Sequence, residues 1–153
     1  MLEQFQDSAA VICKGLLHES MVFGDSNNLN GSSVDKACGT FANEIADIIG
    51  EKNLVEFTVD LTSDDGLKDY GMIQRKMSLL TADQYRKYVD ILDEHKIGHW
   101  WWLATPYSTA RLENARWVKC VLPSGDLSNG YYGIDNIGVR PFCILKSHIF
   151  VSK

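Results

Sequence analysis

The sequence predicts an α+β fold in which two amphipathic helices pack on a mostly antiparallel, twisted sheet. Three observations lead there. Apolar residues recur at helical steps in two stretches before residue 100, whereas after it short apolar pieces alternate with turn residues and helical periodicity is absent. At the boundary stand three consecutive tryptophans, Trp100, Trp101 and Trp102, in a stretch that runs to Pro106. No repeat or low-complexity linker interrupts the chain, and 153 residues suffice for one ordinary core, so a single domain over 1–153 is expected.

The tryptophan stretch is the centre of the prediction. Successive strand side chains alternate between faces, so the three indoles cannot share a side. Trp101 and one of its neighbours would fill opposite sides of a strand covered on both faces. Pro106 would end that strand, since proline cannot donate to a ladder. The sequence leaves open whether Trp100 and Trp102 are core or surface.

In chain order, Ser8 to Leu17 suits a buried strand with Gly15 as a bulge, and it begins so early that a preceding strand could lie outside the sequence. Gly, Asn, Asp and Ser between Gly24 and Ser33 make a turn-rich loop, in which Asn27 and Asn28 are expected to cap backbone rather than hold a ligand. Val34 to Ile49 reads as the first helix, with Val34, Ala37, Cys38, Phe41, Ala42, Ile45, Ile48 and Ile49 inside, Ser32 or Ser33 as its cap and Gly50 as its stop. Leu54 to Leu61 alternates as a strand and runs into the turn Asp64-Asp65-Gly66. Lys76 to Leu80 reads as a short strand leading to the second helix, which Thr81 and Gln84 open as a capping box and Tyr85, Tyr88, Val89 and Leu92 attach to the core. Gly98 stops it. Beyond the tryptophans, Trp117 to Leu122 is a strand, Pro123 to Asp126 a tight turn, and the pieces at Leu127 and Tyr131 to Ile134 pair back. Val139 to Leu145 and His148 to Val151 complete the strands, with Arg140-Pro141 marking an edge or bulge.

Charge and cysteine usage exclude several classes. A formal net charge of -5 repels phosphate backbones, so nucleic acid is not an expected partner. No apolar run approaches membrane-spanning length and the N-terminus lacks a basic region followed by an apolar one, so neither a membrane nor export is expected and the location is read as cytoplasmic. Cys13, Cys38, Cys120 and Cys143 are widely spaced, with no C-x-x-C pair, and read as buried thiols.

Catalytic and metal signatures are missing as well. The cluster Asp60, Asp64, Asp65 and Asp69 lacks the alternating oxygen ligands and terminal glutamate of a helix-flanked calcium loop, so it reads as a solvated loop. His95 and His99 straddle Gly98 without the acidic partner of a helical zinc site, and no G-x-S-x-G or phosphate-binding glycine loop occurs. The expectation is a non-enzyme with no cofactor and no metal.

The motif order W-W-L-x-x-P (Trp101 to Pro106), W-V-x-C-V (Trp117 to Val121), then G-V-R-P (Gly138 to Pro141) resembles a bacterial and prophage domain family of no established activity, related to the C-type-lectin-like and formylglycine-generating-enzyme-like folds. F-G-D-S-N-N at Phe23 to Asn28 and S-L-L-T-A-D at Ser78 to Asp83 extend the likeness over most of the chain. Ala104 stands where that family carries an arginine, and the calcium-dependent sugar motifs of C-type lectins are absent. The resemblance implies that the two bracketing strands form a frame and that the segment between them, from Tyr107 to Ile137, makes the exposed face. Tyr107, Arg111, Asn114, Arg116, Trp117, Asn129, Tyr131, Tyr132 and Asp135 are the candidate ligand-binding residues on it, of the types that recur in adaptable binding surfaces. The expected function is a binding module for a protein or a glycan. The alternative is a small acidic prophage-encoded inhibitor that covers a basic surface of a host defence protein.

Overall fold

The structure is a computed structural model and describes residues 1–109 and 115–150. It is α+β, with three helices and nine strands, mostly antiparallel, among the described residues. Strands β1 (Glu3–Gln4), β2 (Ser8–Ile12), β9 (Phe142–Lys146) and β3 (Leu54–Val55) form one sheet in the order β1-β2-β9-β3. β4 (Phe57–Asp60) pairs with β5 (Met72–Arg75), and β6 (Trp101–Pro106), β7 (Trp117–Val121) and β8 (Leu127–Tyr131) form a third, antiparallel sheet.

β6 lies at the centre because every one of its residues is buried. Trp102 and Ala104 point into a core made with Phe23, Val34 and Cys38, and with Val118 and Cys120 of the neighbouring strand. Trp101 and Leu103 point the opposite way, against Leu80, Tyr85, Leu92 and Phe142. Helix α1 (Ser33–Ile49) covers the first face, and helices α2 (Ala82–Lys87) and α3 (Val89–Glu94) cover the second. Trp102 is anchored by its indole N–H, which donates to the carbonyl of Met21 at 2.9 Å, and Phe23 meets its ring edge-on at 5.3 Å. Trp100, one residue before the strand, is 37 % exposed. The indole alternation is thus as expected, with Trp102 in the core and Trp100 at the surface.

The two motifs that bracket the chain's second half meet in space. Gly138 forms a parallel bridge with Trp101, donating to the Trp100 carbonyl at 2.8 Å and accepting from the Trp102 N–H at 2.9 Å. A Cβ at Gly138 would stand 2.7 Å from Leu16 Cδ1 and 3.0 Å from the His18 carbonyl, so only glycine fits between β6 and that segment.

α1 begins as the sequence indicates. Ser32 accepts from the Asp35 N–H, and Gly50 closes the helix at φ 91°. Asp35 is buried and takes a two-bond fork from Arg75, Nε to Oδ1 and Nη2 to Oδ2, each at 2.8 Å. This pair ties α1 to β5.

Several expected elements take other forms. The strand expected over 8–17 stops at Ile12, because β9 ends opposite it at Phe142 and the chain beyond meets only single bonds, such as Leu17 N–H to the Val139 carbonyl. The edge of β2 is occupied by β1, paired Glu3 with Ala10. The strand expected over 54–61 is split at Glu56, with β3 on β9 and β4 on β5. The 76–80 segment is extended but forms no ladder: Ser78 bridges to Phe142 on one side and Leu80 accepts from Ala104 on the other, so it changes partners before a strand can form.

The second expected helix is two short helices that meet at Tyr88, whose φ of -104° and ψ of 15° break the register. The break turns Val89 outward, 41 % exposed, while Tyr85, Tyr88 and Leu92 remain buried. In α1, Ile48 is also exposed, since it sits on the margin of the stripe in the last turn. The last expected strand, His148 to Val151, falls within a 3-10 turn at Ser147–Phe150, and Val151 lies outside the described residues. Val139 to Pro141 precede β9 rather than belonging to it, and Arg140 is buried rather than at an edge.

Candidate binding face

The β7–β8 hairpin sets which side chains face out. Its turn closes with Leu122 N–H to the Asp126 carbonyl at 2.8 Å and with Gly125 at φ 93°. That closure puts Trp117 opposite Tyr131, Lys119 opposite Asn129 and Val121 opposite Leu127. Directly opposed residues share a face, so Trp117, Lys119, Asn129 and Tyr131 look away from the Trp102 core, while Val118 and Cys120 look into it.

The inner side of β8 is pressed against that core. A Cβ at Gly130 would stand 2.5 Å from Ile137 Cδ1 and 2.9 Å from Trp102 Cζ3. The glycine therefore lets the strand lie flat on the indole and holds the outer aromatics at a set height.

Three rings make a continuous ridge. Trp117 and Tyr131 meet edge-on with centroids 6.3 Å apart, and Tyr131 and Tyr132 are tilted with centroids 4.6 Å apart. An open recess of about 700 Å³ on one side of Trp117 is lined by Ala115, Arg116, Trp117, Tyr131 and Tyr132. A second, of about 340 Å³, is lined by Tyr107, Trp117, Ser128 and Asn129. Six of the nine candidate residues, Tyr107, Arg116, Trp117, Asn129, Tyr131 and Tyr132, thus meet on one surface. Asp135 is exposed in the loop after β8 and lines neither recess. Arg111 and Asn114 lie outside the described residues.

The support beneath the face is polar. Asn27 is fully buried; its amide donates to the Ser108 carbonyl at 2.7 Å and to the Trp117 carbonyl at 3.1 Å, and its oxygen accepts from the Tyr70 hydroxyl at 2.6 Å. It joins the end of β6 to the start of β7, a long-range role in place of the local cap expected of it. Asn28 does cap locally, accepting from the Asn30 N–H.

The acidic loop props up the same place. Asp65 accepts from the Ser63 and Ser108 hydroxyls, and Asp69 accepts from Thr109 Oγ1 at 2.5 Å. Asp64 pairs with Arg86 at 3.1 Å and lies 3.7 Å from Lys119 Nζ, which also sits 5.9 Å from the centre of the Tyr107 ring. Asp60 accepts from the Thr62 hydroxyl and N–H, which hold its carboxyl below the usual aspartate value. Each of the four carboxylates has a protein partner, and among the described residues no group of three His, Cys, Asp or Glu converges as a metal set.

Lys119 is buried beside this face and lines neither recess, and the sequence did not single it out. It was legible only as an inward or outward strand position; its link to Asp64 depends on a loop from a distant part of the chain.

The thiols carry little reactivity. Burial pushes Cys38, Cys120 and Cys143 up to about 12, and raises half-buried Cys13 too, so these groups stay protonated and non-nucleophilic at neutral pH. The His99 ring lies with Nε2 2.7 Å from the Glu19 backbone carbonyl, and no hydrogen bond among the described residues ties it to a thiol or carboxylate. No helix of the described residues is long and apolar enough to cross a membrane.

Comparisons with known protein families, with curated proteins and with solved structures found no match to this chain.

Proposed function

We propose that this chain is a non-enzymatic binding module of C-type-lectin-like type that holds a protein or a glycan on the outer face of its β7–β8 hairpin. One observation carries the reading: the Trp117–Tyr131–Tyr132 ridge stands between two open recesses on a hairpin whose inner side is packed against Trp102. Aromatic side chains on a rigid support give large contact area at small entropic cost, which is what a binding surface needs. The neutral, buried thiols and the absence of a histidine meeting a cysteine or carboxylate among the described hydrogen bonds and ion pairs favour binding over nucleophilic catalysis. A bacterial or prophage origin accompanies this reading through the family resemblance, and a cytoplasmic location through the sequence's lack of an export-type N-terminus.

The test is capture from bacterial lysate, beside a glycan array, using the parent and a variant with Tyr107, Arg116, Trp117, Tyr131 and Tyr132 changed to alanine and its folding checked by circular dichroism. A ligand held by the parent and lost by the folded variant is the expected result. A ligand held equally by both would remove the hairpin face from consideration.

The formal charge of -5 motivates a second reading, an acidic inhibitor of a host defence protein. Its acidic loop is already engaged: Arg86 and Lys119 offset the charge of Asp64, and the hydroxyls of Ser108 and Thr109 occupy acceptor oxygens of Asp65 and Asp69. Reversing the charge of exposed Asp60, whose hydrogen-bond partner is Thr62 and not a residue of the hairpin face, separates the two: loss of binding would favour the inhibitor, and unchanged binding the hairpin face.

A further inference from the structure

Arg140 is 2 % exposed, yet no carboxylate of the described residues pairs with it. Its Nε donates to the Cys13 carbonyl at 2.8 Å, and its guanidinium lies 5.2 Å over the Trp101 ring. The two terminal nitrogens have no hydrogen-bond partner among the described residues. They are not sealed in either, since the fully enclosed side-chain atoms without partners are Asn53 Oδ1 and Ser78 Oγ. A buried cation with half its fork unused is an unfavourable arrangement unless something supplies the missing acceptors. Burial lowers its pKa from the usual arginine value, and the neighbouring groups acting on it are Cys13 and Tyr85 rather than an acid.

Two openings border this side chain. One, walled by Tyr85, Trp101 and Pro123, holds about 10 Å³, room for a single water. The other holds about 350 Å³ between the start of the chain, β2 and α3. Its walls are apolar, from Leu2, Ile12, Ile91 and Leu92; Lys14 and Arg140 are the charged side chains that line it, with His95 nearby and no Asp or Glu. Ile91, at 38 % exposure, stands at its rim.

From this geometry we propose that the recess is a binding site for a small monocarboxylate with an apolar tail, the carboxylate on the free edge of Arg140 and the tail along Ile12, Ile91 and Leu92. The planar fork of arginine matches a carboxylate with two parallel bonds. The volume has room for about a dozen water-sized groups, which suits a medium-length aliphatic or a single-ring acid. None of the lining residues belongs to the hairpin face, so the site stands or falls separately from the function proposed above.

The experiment titrates the parent chain with octanoate, octan-1-ol and butyrate by calorimetry. Octanoate should bind at least about tenfold more tightly than either, because the alcohol lacks the charge and butyrate lacks the tail. Equal affinity for octanoate and octan-1-ol, or no binding of octanoate at about 1 mM, overturns the proposal. Ile91→Asp places a repelling carboxylate at the exposed rim without touching the buried arginine. It should weaken octanoate binding about tenfold or more with the circular dichroism unchanged; unchanged affinity in that folded variant would place the octanoate elsewhere and overturn the site. Arg140→Gln should abolish the preference for octanoate over octan-1-ol, and if that variant does not fold, Ile91→Asp carries the decision.

Discussion

β6 and β8 lie two places apart in one sheet and are both rich in aromatic residues at or beside them, yet they have opposite fates. Every residue of β6 is buried, with Trp101 and Trp102 on its two faces. In β8 only Gly130 is buried, and Tyr131 is 40 % exposed. The difference lies in what covers each strand. Helices close both sides of β6, whereas β8 has the Trp102 core on one side and no described element over the Trp117–Tyr131 side. An aromatic residue is therefore core or exposed surface according to the layer above it, and one strand position separates the two outcomes.

Replacing Trp102 should break this contrast most severely. The side chain is fully buried and hydrogen-bonded to the Met21 carbonyl, so Trp102→Ala should cost about 3–5 kcal/mol in urea unfolding. Trp100→Ala, two residues earlier, should fall within about 1 kcal/mol of the parent because that ring is partly in water. Equal losses for the two would mean that β6 is not the sealed strand described above.

Gly130→Ala should come next, at about 1–3 kcal/mol, because the new methyl meets the rigid Trp102 ring and not only the flexible end of Ile137. It should also lift β8 and shift the near-ultraviolet circular dichroism of the tryptophans. A neutral outcome would mean that hairpin and core are less tightly joined than the contact distances indicate. On the other face of β6, Thr81→Ala removes the capping box of α2, the helix that brings Tyr85 edge-on to Trp101 at 5.8 Å. Its expected cost is about 1 kcal/mol, read as a lower midpoint at unchanged slope.

The contrast between the two strands also explains what was legible in the sequence. The α1 stripe apart from Ile48, one of the two serines offered as its cap, the Thr81–Gln84 capping box and the Pro123–Asp126 turn are local patterns, and these formed as read. So did the division of Trp101 and Trp102 between two faces, which follows from alternation alone. The failures are places where partners come from far along the chain. Residues 76–80 have the composition of a strand but are shared between Phe142 and Ala104, and the second helix breaks at Tyr88, where buried Tyr85 and Leu92 are kept on the core at the expense of Val89. For the candidate face, six residues meet on one surface because the hairpin and the segments that adjoin its ends carry them there. The parts that were not legible, Lys119 against Asp64 and Asn27 beneath Trp117, bridge segments more than fifty residues apart. No periodicity records such pairs.

The smallest effect is also the most specific one. Trp117 and Tyr131 are directly opposed across β7 and β8, with rings 6.3 Å apart, and both are partly exposed. A double-mutant cycle with Trp117→Ala and Tyr131→Ala should give a coupling of about 0.5–1 kcal/mol, the usual strength of a cross-strand aromatic pair. Each single variant should lose far less stability than Trp102→Ala, because these rings surrender little buried area. A coupling near zero would mean that the ridge is a set of independent side chains rather than one preorganised surface. A coupling of about 0.5 kcal/mol or more would show that the free protein already holds the rings in one arrangement, so a ligand of the kind proposed above would not have to order them on binding.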